Sequence, residues 1–179
     1  MPTIIKLIIM GLPSSGKTTF VKHIFEEKEF KGIEDYKPTF GVGISLYEYK
    51  GSEGMMVSTF DCGGQTSFID TYMTDQWVPT LFGKVAIFFF LVDSSARDNL
   101  DSAAKLFRKY YENLRRNSSA AKAYVLASKW DKHQVMLDEL SPFFKEIDIY
   151  PVSVIDGSAR KVFEEIMHNL IEERKAQAD

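Results

Sequence analysis

Residues 11–18 read Gly11-Leu12-Pro13-Ser14-Ser15-Gly16-Lys17-Thr18 and match G-x-x-x-x-G-K-[ST] in full. Each residue type has a physical purpose at this spacing. Gly11 and Gly16 adopt backbone conformations that other residues resist, so consecutive N–H groups can turn inward around anionic oxygens. A helix starting near Lys17 adds the positive end of its dipole. Lys17 supplies a compact cation for the β- and γ-phosphates of a nucleoside triphosphate, and the Thr18 hydroxyl is a magnesium ligand. Pro13, Ser14, Ser15 and Thr19 complete the cradle.

A second group sits at Asp61-Cys62-Gly63-Gly64-Gln65. An aspartate at the end of a neighbouring strand holds magnesium in phosphate-loop proteins, usually through water. Gly63 and Gly64 leave room for a γ-phosphate and offer it a backbone N–H. Gln65 is placed to orient an attacking water, because an amide can accept from water and donate to the transition state. Thr39, in Lys37-Pro38-Thr39-Phe40-Gly41, can complete the magnesium shell and sense the γ-phosphate. Loss of that phosphate would release its loop, which makes a switch. No arginine precedes Arg97, so this part of the chain supplies no arginine finger. Such a finger is worth on the order of a thousandfold or more in rate. Slow hydrolysis and dependence on an activating partner are therefore expected.

A third group is Ser128-Lys129-Trp130-Asp131. The Asp131 carboxylate can accept from the N1–H and amino group of guanine, a donor pair that adenine lacks. The Lys129 stem can lie over the base. Ser153-Val154 can offer a backbone N–H to the guanine oxygen. Alone, Ser-Lys-Trp-Asp reads as a solvated loop; its order and position give it weight.

These groups need a scaffold, and the apolar pattern predicts one. Strands are expected at Ile4–Met10, Val42–Tyr49, Met55–Asp61, Val85–Val92, Ala123–Ala127 and Ile147–Val154. Lys50-Gly51-Ser52-Glu53-Gly54 joins the second and third as a hairpin. Val85–Val92 (VAIFFFLV) is unbroken, as a strand buried on both faces of a parallel sheet must be. Helical spacing appears in Phe20–Phe25, in Leu100, Ala104, Phe107, Tyr111 and Leu114, and in Val162–Ile171, with Asp156 or Ser158 as a cap for the last. Residues 26–37 read as an irregular loop, and 62–79 as a loop with a short helix. Strand–helix alternation after one hairpin gives an α/β fold with helices on both faces.

With 179 residues, 45% hydrophobic and 26% charged, the chain suits one soluble domain. A net charge of −3 gives no general attraction to nucleic acid or acidic membrane. One cysteine, Cys62, suits a reducing, cytoplasmic setting. Ile4–Met10 is too short to span a bilayer, residue 2 is proline rather than a myristoylated glycine, and no cysteine sits at the end for prenylation. No direct membrane anchor is expected; membrane contact would come through partners.

Together the phosphate loop, Thr39, Asp61–Gln65, Lys129, Asp131 and Ser153 resemble the small GTPases of the Ras superfamily, from Ile4 to the final helix. The resemblance implies a three-layer phosphate-loop NTPase fold over residues 1–179, with a six-stranded mostly parallel sheet, one antiparallel hairpin strand and five main helices. It implies GTP and GDP as ligands with Mg2+ as cofactor. Gln65 and Lys17 would be catalytic, and Thr18, Thr39 and Asp61 would surround the metal. The loop residues, Gly64, Lys129, Asp131, Ser153 and Val154 would hold the nucleotide. Effectors and a GTPase-activating protein would dock through residues 35–42 and 62–79. The Asp-Cys-Gly-Gly-Gln run looks like the Rag/Gtr and Arf branches, and residues 60–92 look closest to Rag-type proteins. Those proteins also lack the asparagine of Asn-Lys-x-Asp, where this chain has Ser128. A full Rag protein adds a C-terminal dimerisation domain, which this sequence does not include, so the resemblance does not by itself imply a Rag-like heterodimer; a homo- or heterodimer stays open.

Ser128 is shorter than asparagine and is expected to fall short of bridging both the phosphate loop and the base. Pro13 fixes its own backbone and lacks an N–H. Two rival readings stand beside the switch: a nucleotide-binding scaffold subunit with negligible hydrolysis, and a phosphate-loop kinase or ATPase, for which no lid-like arginine cluster is visible. Cys62 reads as a buried filler, and His23, His133 and His168 show no metal-ligand spacing. Tyr72 and Trp77 read equally as partner contacts or as core.

Overall fold

A computed structural model describes residues 3–29, 41–52, 54–63 and 66–177. Six strands form one sheet: β1 (Thr3–Gly11), β2 (Val42–Glu48), β3 (Met55–Cys62), β4 (Ile87–Asp93), β5 (Lys122–Ser128) and β6 (Asp148–Pro151). Their order is β2-β3-β1-β4-β5-β6. Among the described residues only β2 and β3 pair antiparallel, through the expected hairpin; every other pair is parallel.

β4 shows why the sheet is buried on both sides. Phe88 and Phe90 point to one face, Ile87, Phe89 and Leu91 to the other, and all five are essentially inaccessible. On the first face lie α2 (Thr66–Tyr72), α3 (Val78–Phe82), α4 (Leu100–Asn117) and α5 (Leu137–Leu140). On the second lie α1 (Lys17–Phe25) and α6 (Ser158–Ala176). Phe20 of α1 meets Phe89 edge-on at 5.7 Å. The result is the expected three-layer α/β architecture.

The register aligns the carboxyl ends of the central strands. Ile9 pairs with Asp61, Gly11 with Leu91, and Asp93 with Ser128. The three chemical groups therefore converge at one end of the sheet, where open α/β sheets bind ligands.

Several details depart from the sequence expectation. The stretch after β3 forms two short helices, so the described residues hold six α-helical segments rather than five. Pro79 lies in the first turn of α3, where a missing N–H is tolerated. On α4 the core position is Tyr110, while Tyr111 stacks on Phe107 at the helix rim at 5.3 Å. β6 stops at Pro151, short of Val154. α6 begins at Ser158, and Asp156 accepts the Ser158 N–H at 2.8 Å. Tyr72 proves to be core, with its hydroxyl donating to the Gly41 carbonyl at 2.7 Å; Trp77 is half-buried against the same cluster. Among the described residues, no helix is long and apolar enough to cross a membrane.

Candidate functional site

β1 delivers the chain into the loop at Gly11, whose φ is +150°. A Cβ there would lie 2.3 Å from the Leu91 carbonyl oxygen, closer than any real contact, so only glycine fits against β4. Gly16, at φ +90°, stands in the left-handed region just before α1. Ser14 also has positive φ, 60°, and Pro13 is exposed on the outer bend. Ser15 is buried, and Thr18 and Thr19 are half-buried in the first turn of α1.

Lys17 is 6% exposed and curls back over the loop. Its ammonium donates to the carbonyls of Gly11 at 3.1 Å and Leu12 at 2.8 Å. Burial pushes its pKa down to about 8, opposed by the nearby Asp61 carboxylate. A polyanion seated in the loop would supply the missing counter-charge.

Asp61, 7% exposed at the end of β3, accepts the Thr18 hydroxyl at 2.5 Å. β1–β3 pairing thus brings together two of the three expected metal residues, 43 positions apart. One hydroxyl and one carboxylate are hard oxygen donors and suit magnesium, which takes few protein ligands and completes its shell with water and phosphate. No group of three or more His, Cys, Asp or Glu forms an alternative metal site among the described residues. The Gly63 N–H is engaged by the Gly41 carbonyl at 2.9 Å. Thr39, Gly64 and Gln65 lie outside the described residues.

From Gly16 and Thr19 the loop opens into a cavity of about 370 Å³. Lys129, Asp131, Ser153 and Val154 line it, together with Ser95 and Ser128. The phosphate loop and the expected base-recognition residues therefore share one cleft. Asp131 is held at its mouth by the Ser153 hydroxyl, which donates to Oδ1 at 2.6 Å. Ser153 is fixed in turn: its N–H donates to the Ser158 hydroxyl at 2.8 Å.

Ser128 has a definite task. Its hydroxyl is shared between the Ser15 carbonyl at 2.7 Å and the Val92 carbonyl at 3.0 Å. It reaches the phosphate loop, and its one proton is committed there. The buried Ser94 backs it, donating through N–H and hydroxyl to the Ser128 carbonyl. Sequence reasoning passed over Ser94, Ser95 and Asp93. Asp93 ends an otherwise unbroken apolar strand on the ligand-binding edge of the sheet, and that position was its available signal.

The conserved region of Gtr1/RagA G proteins matches residues 6–178. The chain belongs to the Gtr1/RagA G protein family. Within the expected superfamily, this supports the Rag/Gtr branch. GTP-binding protein GTR1 of Saccharomyces cerevisiae is 28% identical over 93% of this chain and 57% of its own length. Ras-related GTP-binding protein A of Dictyostelium discoideum is 25% identical over 93% of this chain and 58% of its own. The chain thus spans less than two thirds of these relatives. ADP-ribosylation factor F of Dictyostelium discoideum, on the Arf side, is 26% identical over 77% of this chain and 64% of its own length. A solved structure of the Arl6 BBS3 small GTPase from Trypanosoma brucei, with a bound nucleotide analogue, superposes with a TM-score of 0.73. It covers 95% of this chain and 99% of its own, and at 18% identity it supports the fold alone.

Proposed function

We propose that this G protein is a GTP-binding molecular switch that hydrolyses GTP to GDP slowly with Mg2+ and depends on an activating partner for speed. The observation that carries the reading is the single cleft joining the Gly11–Thr18 loop to Lys129, Asp131, Ser153 and Val154. The family match supports it independently.

Each residue then has a role. The Asp131 carboxylate, anchored on one side by Ser153, accepts from the N1–H and amino group of guanine. Val154 offers its N–H to the guanine oxygen, and the Lys129 stem covers the base. The inward N–H groups of the loop and the α1 dipole hold the phosphates. The Lys17 ammonium exchanges the Gly11 and Leu12 carbonyls for β- and γ-phosphate oxygens. Thr18, Asp61 and Thr39 would hold magnesium, which neutralises phosphate charge during transfer. Gln65 orients the attacking water. Arg97 is tied to Glu139 and to the Gln134 carbonyl, so it is engaged elsewhere. The rate is therefore slow until a partner supplies a cation, by docking on residues 35–42 and 62–79. A homo- or heterodimer is one form such an assembly could take.

Single-turnover hydrolysis of GTP tests this. The unaided rate should lie on the order of 10⁻⁴ to 10⁻² per second, and Gln65→Leu should remove it without weakening nucleotide binding. Fast turnover indifferent to Gln65→Leu would contradict the reading.

A further inference from the structure

The end of β4 carries an anionic group that neither the phosphates nor magnesium uses. Asp93 is the last residue of β4, and its side chain is only 14% exposed. A carboxylate withdrawn from water needs partners, and this one has three contacts. Ser95 gives Oδ1 its N–H at 3.0 Å and its hydroxyl at 2.6 Å. Oδ2 receives the Lys129 ammonium at 2.5 Å.

Lys129 needs such a hold. It sits at φ 56° and ψ 38°, in the left-handed region, on the turn leaving β5. Its side chain is 38% exposed and lines the cleft beside Ser95. A lysine stem has several rotatable bonds, and left free it would sweep across the cleft mouth. Ordering it only when ligand arrives would be charged against affinity. An exposed ion pair contributes little by itself. Here the carboxylate is sheltered and already fixed by Ser95, so what matters is the direction it imposes.

We propose that Asp93, fixed by Ser95, is a positioning residue for Lys129, pinning its ammonium at the end of β4 so that the stem forms one wall of the base pocket before nucleotide binds. The inference rests on the guanine-nucleotide reading of the cleft. It adds a division of labour. The phosphate loop is braced by the Ser128 hydroxyl on the Ser15 carbonyl, and the base wall is braced by β4 through Asp93. A lesion at Asp93 therefore weakens the hold on the base and spares the hold on the phosphates.

The test is a double-mutant cycle read by dissociation of a fluorescent GDP with Mg2+ from wild type, Asp93→Asn, Lys129→Met and the double variant. Methionine keeps an unbranched apolar stem and removes the ammonium. Asp93→Asn should release GDP about tenfold faster, the size of one well-placed contact. In the Lys129→Met background the same change should add less than about twofold, because its target is gone. A base-free competitor, ribose 5-diphosphate, should bind all four proteins alike. Unchanged release from Asp93→Asn, additive effects in the double variant, or equal loss of ribose 5-diphosphate binding would overturn the inference. If Asp93→Asn does not fold, Ser95→Ala carries the same test, with about threefold faster release expected and no change overturning it. Failure of the wild type to bind GDP would instead overturn the guanine reading, and this inference with it.

Discussion

Asp131 has one oxygen held by the Ser153 hydroxyl at 2.6 Å. A carboxylate presents about four lone-pair sites, so two further donors can still be accepted. On the proposed reading, that capacity selects guanine over adenine. Asp131→Asn replaces one acceptor by a donor and should complement the extra carbonyl of xanthine. Competition binding should show preference moving from guanine toward xanthine nucleotides; unchanged guanine selectivity would contradict the role given to Asp131. This residue was legible in the sequence because Lys129 and Asp131 follow a strand at fixed spacing. Asp93 was not, because its partner lies 36 positions away. Only the β4–β5 register, which sets Asp93 beside Ser128, brings the pair together.

At the scale of elements, the site depends on how strand ends are tied to the loop. The Ser128 hydroxyl connects β5 to the loop at Ser15 and to β4 at Val92. Ser128→Ala leaves the buried Ser15 and Val92 carbonyls short of that donor, a loss of about 1–3 kcal/mol. A lower thermal midpoint and faster nucleotide release are expected together. A lower midpoint with unchanged release would mean that the serine supports the fold but not the loop. The apolar runs predicted the strands well, since a strand buried on both faces must be uniformly apolar. They predicted the short helices poorly. Nor do they settle which of two neighbours is buried: Tyr110 and Tyr111 are tyrosines one step apart, and the face that α4 turns to the sheet, not residue type, decides which is core. Likewise Tyr72 suits a partner contact or the core equally by residue type, and the Gly41 carbonyl within reach of its hydroxyl fixes it in the core.

At the scale of the molecule, a sheet with two buried faces aligns the carboxyl ends of β1, β3, β4 and β5, and one cleft joins the phosphate loop to the residues that follow β4, β5 and β6. Fold and family were readable because the phosphate loop, Asp61 and Asp131 come in a fixed order between predictable strands. What that cleft holds together is the machinery for binding: the phosphate loop, Lys129, Asp131, Ser153 and Val154. The central claim is accordingly that this cleft takes a guanine nucleotide. Calorimetric titration of nucleotide-stripped protein with GDP and with ADP, each with Mg2+, tests it directly. The account predicts GDP binding at least about a hundredfold tighter than ADP, since two hydrogen bonds to a carboxylate together contribute on the order of 3 kcal/mol. Equal affinity, or tighter binding of ADP, would contradict it.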